Sequence, residues 1–332
     1  MRRASADSLS PIPLTQLALL ASIVSLAVAA PAQASQLIDR DATNVHLAVN
    51  TRGQALLTYR VGGLVRHVLG WGALNARPSG SAGSQASFKL DYSGGWGTYH
   101  RVVWRQFKDA CGSYDGPKLP ALVATCKAPD GSFWAVQSWK VPLPDLGFLP
   151  WLLPQKQSWL TLSHWTGPVA QLEVYTNWIY SGRFQQLFGR LTYLGRPVYG
   201  SRTSYYGAPK DAFGRLVYLD TLNAPAYGQG WRRENSFVSH KGTGAFCYGF
   251  YRFDPSTGGY AAPPGWPRHK LRGPGTGERY RLTVMGPGVT PDIRWEGPGL
   301  HRYDPSNPAD VAYQAKENAI LASFHDRLCR PH

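Results

Sequence analysis

Beyond residue 34 the chain alternates short apolar runs with turn signals. VHLAVN (45–50), ALLTYR (55–60) and LVRHVLGWGAL (64–74) are parted by Thr51-Arg52-Gly53 and by Gly62-Gly63, a spacing of about ten residues that predicts a β-meander. SFKLDY (87–92) predicts another strand after the small-residue loop RPSGSAGSQ (77–85). ALVATCKA and FWAVQSWKV follow, joined across the turn sequence Pro129-Asp130-Gly131. Later strands are read at LFGRLTYLGRPVYG (187–200, a hairpin), RLVYLDTLN (215–223), RYRLTVMGPG (279–288) and DIRWEG (292–297). In TYHRVVWRQFKDAC (98–111), Tyr99, Val103, Phe107 and Cys111 recur at helical spacing, so a short helix is expected there.

SWLTLSHW (158–165) and AQLEVYTNW (170–178) flank Thr166-Gly167-Pro168 and read as a second hairpin. Strand alternation would then sort the side chains by face. Leu160, Leu162 and His164 would share one face with Leu172, Val174 and Trp178. Trp159, Thr161, Ser163 and Trp165 would share the other with Gln171, Glu173, Tyr175 and Asn177. That second face mixes indoles, hydroxyls and amides, which suits a sugar platform; meeting a second sheet is the alternative. Trp159, Trp165, Tyr175 and Asn177 are the candidate ligand-binding residues.

The C-terminus changes period. Asn307 reads as an N-cap, Pro308 as the first helical residue and Asp310 as a first-turn acid. Tyr313, Ile320, Phe324 and Leu328 then line one face of a helix that ends near Pro331. Two segments carry too much proline for regular structure. VPLPDLGFLPWLLPQ (141–155) is either a loop folded over the core or a hydrophobic lip, and AAPPGWPRHKLRGPGTG (261–277) is an exposed basic loop.

The first 34 residues follow a different rule. Arg2-Arg3, the apolar run LALLASIVSLAVAA (17–30) and Ala32-Gln33-Ala34 form the ordered parts of a secretory leader with cleavage expected after Ala34. The run is shorter than the roughly 20 residues a bilayer span needs. The expected product, residues 35–332, is a single mainly-β extracellular domain, with a subdivision near 141–157 or 200–212 as the alternative. No later stretch is apolar enough to span a membrane.

Composition narrows the chemical style. The formal charge is +15, and removing Arg2, Arg3 and Asp7 with the leader lowers it by one to +14. Such a surface attracts polyanions. No block of five like charges exists, so a dedicated nucleic-acid arm is not expected. Twelve Trp and eighteen Tyr suit a rigid β-rich fold and also supply the flat rings on which sugars stack, although many must be core.

Local motifs exclude several reaction classes. GxxxxGK[ST], strand-anchored GxGxxG, HExxH, CxxC and GxSxG are all absent, and so is an acidic calcium loop. No cofactor and no metal is expected.

The four cysteines imply two bridges in an oxidising compartment. Cys111 and Cys126 flank a Gly- and Pro-containing loop, and Cys247 with Cys329 would fasten the last helix, so this pairing is the one expected. The competing reading makes Cys247 a nucleophile with His240 as base and Lys241 nearby, within ENSFVSHKGTGAFCYGF (234–250). The alternation of AFCYGF and the orphaning of Cys329 weigh against it.

For a hydrolase, Glu173 is the first acid/base candidate, with Asp220, Glu234 or Asp91 as a second carboxylate and His240 as a further catalytic candidate. The expected fold is an antiparallel sandwich or barrel-like double sheet with one C-terminal helix. The expected function is a secreted, cell-surface or cell-wall-associated binding protein for a polysaccharide or anionic wall polymer. A secreted polymer-acting hydrolase and a structural or protein-interaction module using the 143–153 loop are the alternatives.

Overall fold

The computed structural model of the chain describes residues 35–75, 86–140, 158–180, 184–197, 217–222, 231–233, 236–240, 243–250, 279–284, 290–298, 304–326 and 329–331. The leader, the loops at 77–85, 141–155 and 261–277, and Glu234 lie outside these residues. Among the described residues the protein is mainly β, with seventeen strands in four antiparallel sheets, no closed barrel and one long helix.

The first half is a two-sheet sandwich. β2 (Thr43–Val49), β3 (Gln54–Val61), β4 (Leu64–Gly72) and β5 (Phe88–Asp91) form the expected meander in chain order. Gly62 and Gly63 both have positive φ, 57° and 82°, the twist-matched turn that a two-residue hairpin requires. The second sheet takes β6 (Leu122–Lys127), β7 (Phe133–Lys140) and β8 (Ser158–Trp165), and β1 (Gln36–Arg40) closes the free edge of β8. Leu57, Tyr59 and Val68 of the meander meet Cys126, Trp134, Val136 and Leu162 of the facing sheet in one buried cluster. Burying each large side chain of this kind stabilises by roughly 1.5–3 kcal/mol.

A polar chain crosses this core. His164 lies against the Trp134 indole, with ring centroids 3.7 Å apart. Its Nδ1 is 2.9 Å from the Gly72 carbonyl, its Nε2 is 2.9 Å from the Ser132 hydroxyl, and that hydroxyl oxygen lies 2.6 Å from Asp130. Burial holds the His164 pKa below its ordinary value, so the ring is neutral. The chain pins the 129–131 turn to the meander. Ser132 and His164 are both buried, so the pair offers no accessible nucleophile.

The second half pairs differently. β10 (Phe184–Tyr193) lies between β9 (Gln171–Tyr180) on one side and β15 (Ala245–Phe250) on the other, and β14 (Ser236–His240) adds to β15. β11 (Arg196–Pro197) returns on β10 as the expected hairpin. A further sheet runs β13 (Trp231–Arg233), β12 (Val217–Leu222), β16 (Arg279–Val284), β17 (Ile293–Pro298).

Two expectations are corrected here. The 158–165 and 170–178 segments do not form a hairpin: β8 pairs with β7 and β1, while β9 pairs with β10 in another sheet. Both edges of β8 are already occupied, one by a strand more than a hundred residues upstream, so Thr166-Gly167-Pro168 is a crossover. The helix expected over 98–111 shrinks to α1 (Trp96–Tyr99) and a 3-10 turn at Val103–Arg105. His100 takes a left-handed conformation at φ 52° and ends α1. Asp109 then accepts the backbone N–H groups of Val49 and Cys111, both at 3.0 Å, which holds the following chain against the end of β2.

The C-terminal helix α2 (Pro308–Ser323) forms as expected, with Asn307 accepting from the Ala309 N–H at 3.0 Å. Its buried stripe runs through Asp310, Glu317, Leu321 and Phe324, with Tyr313 and Ile320 half-buried at its border. Leu328 lies outside the described residues. Both expected disulfides are present: Cys111–Cys126 and Cys247–Cys329. The second joins β15 to the segment after α2, within a cluster of Phe188, Ala245, Leu321 and Phe324. No free cysteine occurs, so Cys247 is a cross-link and not a nucleophile.

Candidate functional site

The turn between β2 and β3 and the segment after α1 enclose a concave site of about 330 Å³. Asn50 builds one wall. Its Oδ1 accepts the backbone N–H groups of Arg52 at 2.9 Å and Gln54 at 3.0 Å, and its amide donates to the Gln54 side chain at 2.9 Å. This closed turn presents Arg52. Gln54 donates onward to the Tyr99 hydroxyl, and the Arg101 guanidinium lies 5.9 Å from the Tyr99 ring.

The opposite wall is Gln106 to Ala110, strapped twice. Ala110 donates to the Val49 carbonyl at 2.8 Å, and the neighbouring Cys111 is bridged to β6. Buried Val103 and half-buried Phe107 form the apolar floor, while Arg52, Arg101 and Lys108 are exposed around it. Among the described residues none of these three cations has an ion-pair partner. Asp109, the acid in the lining, has an oxygen committed to two backbone N–H groups.

Aromatic groups stiffen the same segment. Trp104 stacks on His67 of β4, with centroids 4.4 Å apart and planes 5° from parallel, and it carries the Arg105 guanidinium 4.9 Å from its centroid. Burial keeps the His67 pKa below its ordinary value, so this stack is a neutral imidazole on an indole. Gly94 and Gly95 make the approach possible: a Cβ on Gly94 would stand 2.7 Å from the His67 Cβ, and one on Gly95 2.7 Å from the Val103 Cβ. Burial would raise the Asp91 pKa, but hydrogen bonds from the side chains of Ser93 and Thr98 and from their N–H groups, at 2.9 Å and 2.8 Å, fix α1 and draw it down to about 2. Trp96, at the start of α1, is 55% exposed, and Tyr92, whose hydroxyl donates to the Ile38 carbonyl of β1 at 3.4 Å, is exposed as well. The result is a rigid cationic hollow.

None of the candidate site residues singled out from sequence lines the hollow. Trp165 is fully buried and packs on Phe133 and Tyr114. Trp159 is half-buried on β8, with the Arg40 guanidinium 5.8 Å from its ring. Tyr175 stacks on Phe188 at 5.4 Å and borders the α2 cluster. Burial raises its pKa, assisted by the carboxylates of Glu173 and Glu317 and opposed by Arg190. Glu173 is exposed on β9 opposite Arg190 of β10. Asn177 faces Gln186 in the register and His240 ends β14 opposite Phe246, but their side chains lie outside the described residues.

The hollow drew no attention in sequence because its cations come from two distant segments and because 98–111 reads as a helix. The interleaving of Tyr99, Arg101, Trp104, Arg105, Phe107 and Lys108 is the signal that marks it. Among the described residues no cluster of His, Cys, Asp and Glu could hold a metal ion, and no helix is long and apolar enough to cross a membrane. No family model, curated protein or solved structure matches the chain.

Proposed function

We propose that the protein is a secreted, surface-associated binding protein for an acidic glycan or similar anionic wall polymer, held in the hollow between Asn50 and Ala110. The carrying observation is the set Arg52, Arg101 and Lys108, exposed and without ion-pair partners among the described residues, around the Val103–Phe107 floor. Arginine forks match carboxylates and phosphates in a bidentate fashion, and the exposed Trp96 offers a face for a sugar ring. The net charge supports capture of a polyanion, and the absence of a long basic run fits a localised site better than a nucleic-acid arm.

Retention on immobilised polygalacturonate, on its neutral methyl ester and on polyphosphate tests this. Binding to the acidic glycan should be strong at low salt and fall as salt shortens the Debye length from about 10 Å at 0.1 M to about 3 Å at 1 M. Exposed pairings contribute roughly 0.2–1 kcal/mol each, so Arg52→Ala, Arg101→Ala and Lys108→Ala together should weaken retention about tenfold. Equal retention on the neutral ester would exclude the charged hollow as the site.

One observation favours a second reading, a polymer-acting hydrolase. Burial raises the Tyr175 pKa, and the negative charges of Glu173 and Glu317 raise it further. Release of reducing ends from a wall glycan, abolished by Glu173→Gln, would establish it. Glu173→Gln without effect on glycan retention would separate the two readings.

A further inference from the structure

The residue that follows the expected cleavage point is tied into the core. Ser35 is 4% exposed, and its hydroxyl donates to Asp292 Oδ1 at 2.7 Å. Asp292 is fully buried, and its other oxygen accepts from the Thr161 hydroxyl at 3.4 Å. Its backbone is clamped too: the Asp292 N–H donates to Gln137 Oε1 at 2.9 Å, and Gln137 Nε2 donates to the Asp292 carbonyl at 3.0 Å. Gln137 and Thr161 are themselves fully buried on β7 and β8. One carboxylate thus joins the start of the described chain, the centre of the sandwich and the approach to β17.

We propose that cleavage after Ala34 is a maturation step that completes this junction, the new α-ammonium of Ser35 pairing with the Asp292 carboxylate. Water hydrolyses the Ala34–Ser35 peptide bond. The carboxylate departs with the leader, and the released amine takes up a proton. The α-nitrogen is three bonds from the hydroxyl that already touches Asp292, within the ~4–6 Å over which opposite charges act on one another. Register fixes this position, because Gln36 and Leu37 pair with Leu162 and Thr161 of β8. A charge delivered into this buried site beside a carboxylate is hard to displace, because separating opposite charges inside the protein is costly. The uncleaved chain has an amide nitrogen there and carries no such charge.

The inference rests on the leader reading, and one experiment separates the two. The full-length precursor is expressed in a secreting host, and the N-terminus of the exported protein is determined by mass spectrometry. A start at Ser35 supports the cleavage site, and a start elsewhere overturns the proposal. Reductive methylation of the folded protein is then followed across pH. An ordinary α-amine titrates at about 7.7–8.0, burial alone would lower that value, and pairing raises it. The expected result is a raised value and labelling at least about tenfold slower than in the denatured chain. A lowered or ordinary value overturns the pair. Inserting one glycine between Ala34 and Ser35 should restore fast labelling and lower Tm. This variant keeps every core side chain, so it serves even if Asp292→Asn fails to fold, and unchanged labelling would also overturn the proposal.

Discussion

The sandwich of β1 to β8 and the region from β9 to α2 reach stability by different routes. In the sandwich, hairpins between neighbours in sequence build most of each sheet, and two apolar faces meet through Tyr59, Trp134 and Leu162. In the later region β10 recruits β15 from more than fifty residues away, and a helix covers the result. The disulfides reflect the contrast: Cys111–Cys126 spans 15 residues and Cys247–Cys329 spans 82. Where contacts are local, packing stabilises most; where the chain must close long loops, the cross-link matters more.

The largest expected effect follows from that difference. Removing the long-span bridge with Cys247→Ala and Cys329→Ala should cost about 4.5 kcal/mol in the chain-entropy model. Denaturant unfolding followed by Trp fluorescence and by far-UV circular dichroism checks it. A transition that separates from that of the sandwich would sharpen the comparison, and an unchanged midpoint would break it. Next is Trp134→Ala, which empties a fully buried indole site between the sheets and should cost about 4 kcal/mol. Its effect should fall on the sandwich, with the second region affected less. Cys111→Ala with Cys126→Ala should cost about 3 kcal/mol because the closed loop is shorter. If the two bridges prove equally costly, loop length is not what distinguishes the regions.

The same contrast explains what was legible in the sequence. The meander, the β6–β7 hairpin, the β10–β11 hairpin, the N-cap at Asn307 and both bridges could be read because turn residues, caps and cysteine count are local signals. The partner of β8 could not. Its apolar run is bounded by Gly-Pro as a hairpin strand would be, yet the neighbour that fills its edge is β1, and no spacing rule reports a contact across more than a hundred residues. The hairpin read over 158–178 does not form for this reason, and Trp165 and Tyr175 lie in different sheets. The helical face at the C-terminus was misjudged by a narrower margin: Asp310 and Glu317 are buried, and hydrophobic periodicity does not count carboxylates as core. The hollow near Arg52 is built by an Asx turn, a carboxylate strap and a disulfide, none of which has a period.

A smaller effect tests the helix that closes the second region. Asn307→Ala removes the acceptor of the Ala309 N–H and should cost about 1 kcal/mol. Asn307→Gly should recover most of that loss, leaving only a few tenths of a kcal/mol. Failure of the glycine variant to recover would point to the Asn307 contact with Asp310, 3.3 Å away, as the dominant one.

The subtlest expectation concerns acid. His164 and His67 both have pKa values lowered by burial, and both lie in the sandwich. For a group whose folded pKa is depressed, the folded state prefers the neutral ring. Its stabilising contribution is therefore complete above the unfolded value of about 6.5 and declines as pH falls through that value toward the lower folded one. Below both values no further loss comes from these rings. Asp91 adds a loss of the same sign at lower pH, between its ordinary value and about 2, weakened by solvent because the carboxylate is partly exposed. Sandwich unfolding should thus become easier as pH drops below about 6.5, and Trp fluorescence should report it. His164→Gln should flatten the slope, since the ring at the centre of the Gly72–Ser132–Asp130 chain would no longer titrate. If the slope just below pH 6.5 survives in the double variant His164→Gln with His67→Gln, neither ring carries it, and the acid sensitivity at that pH lies in other groups.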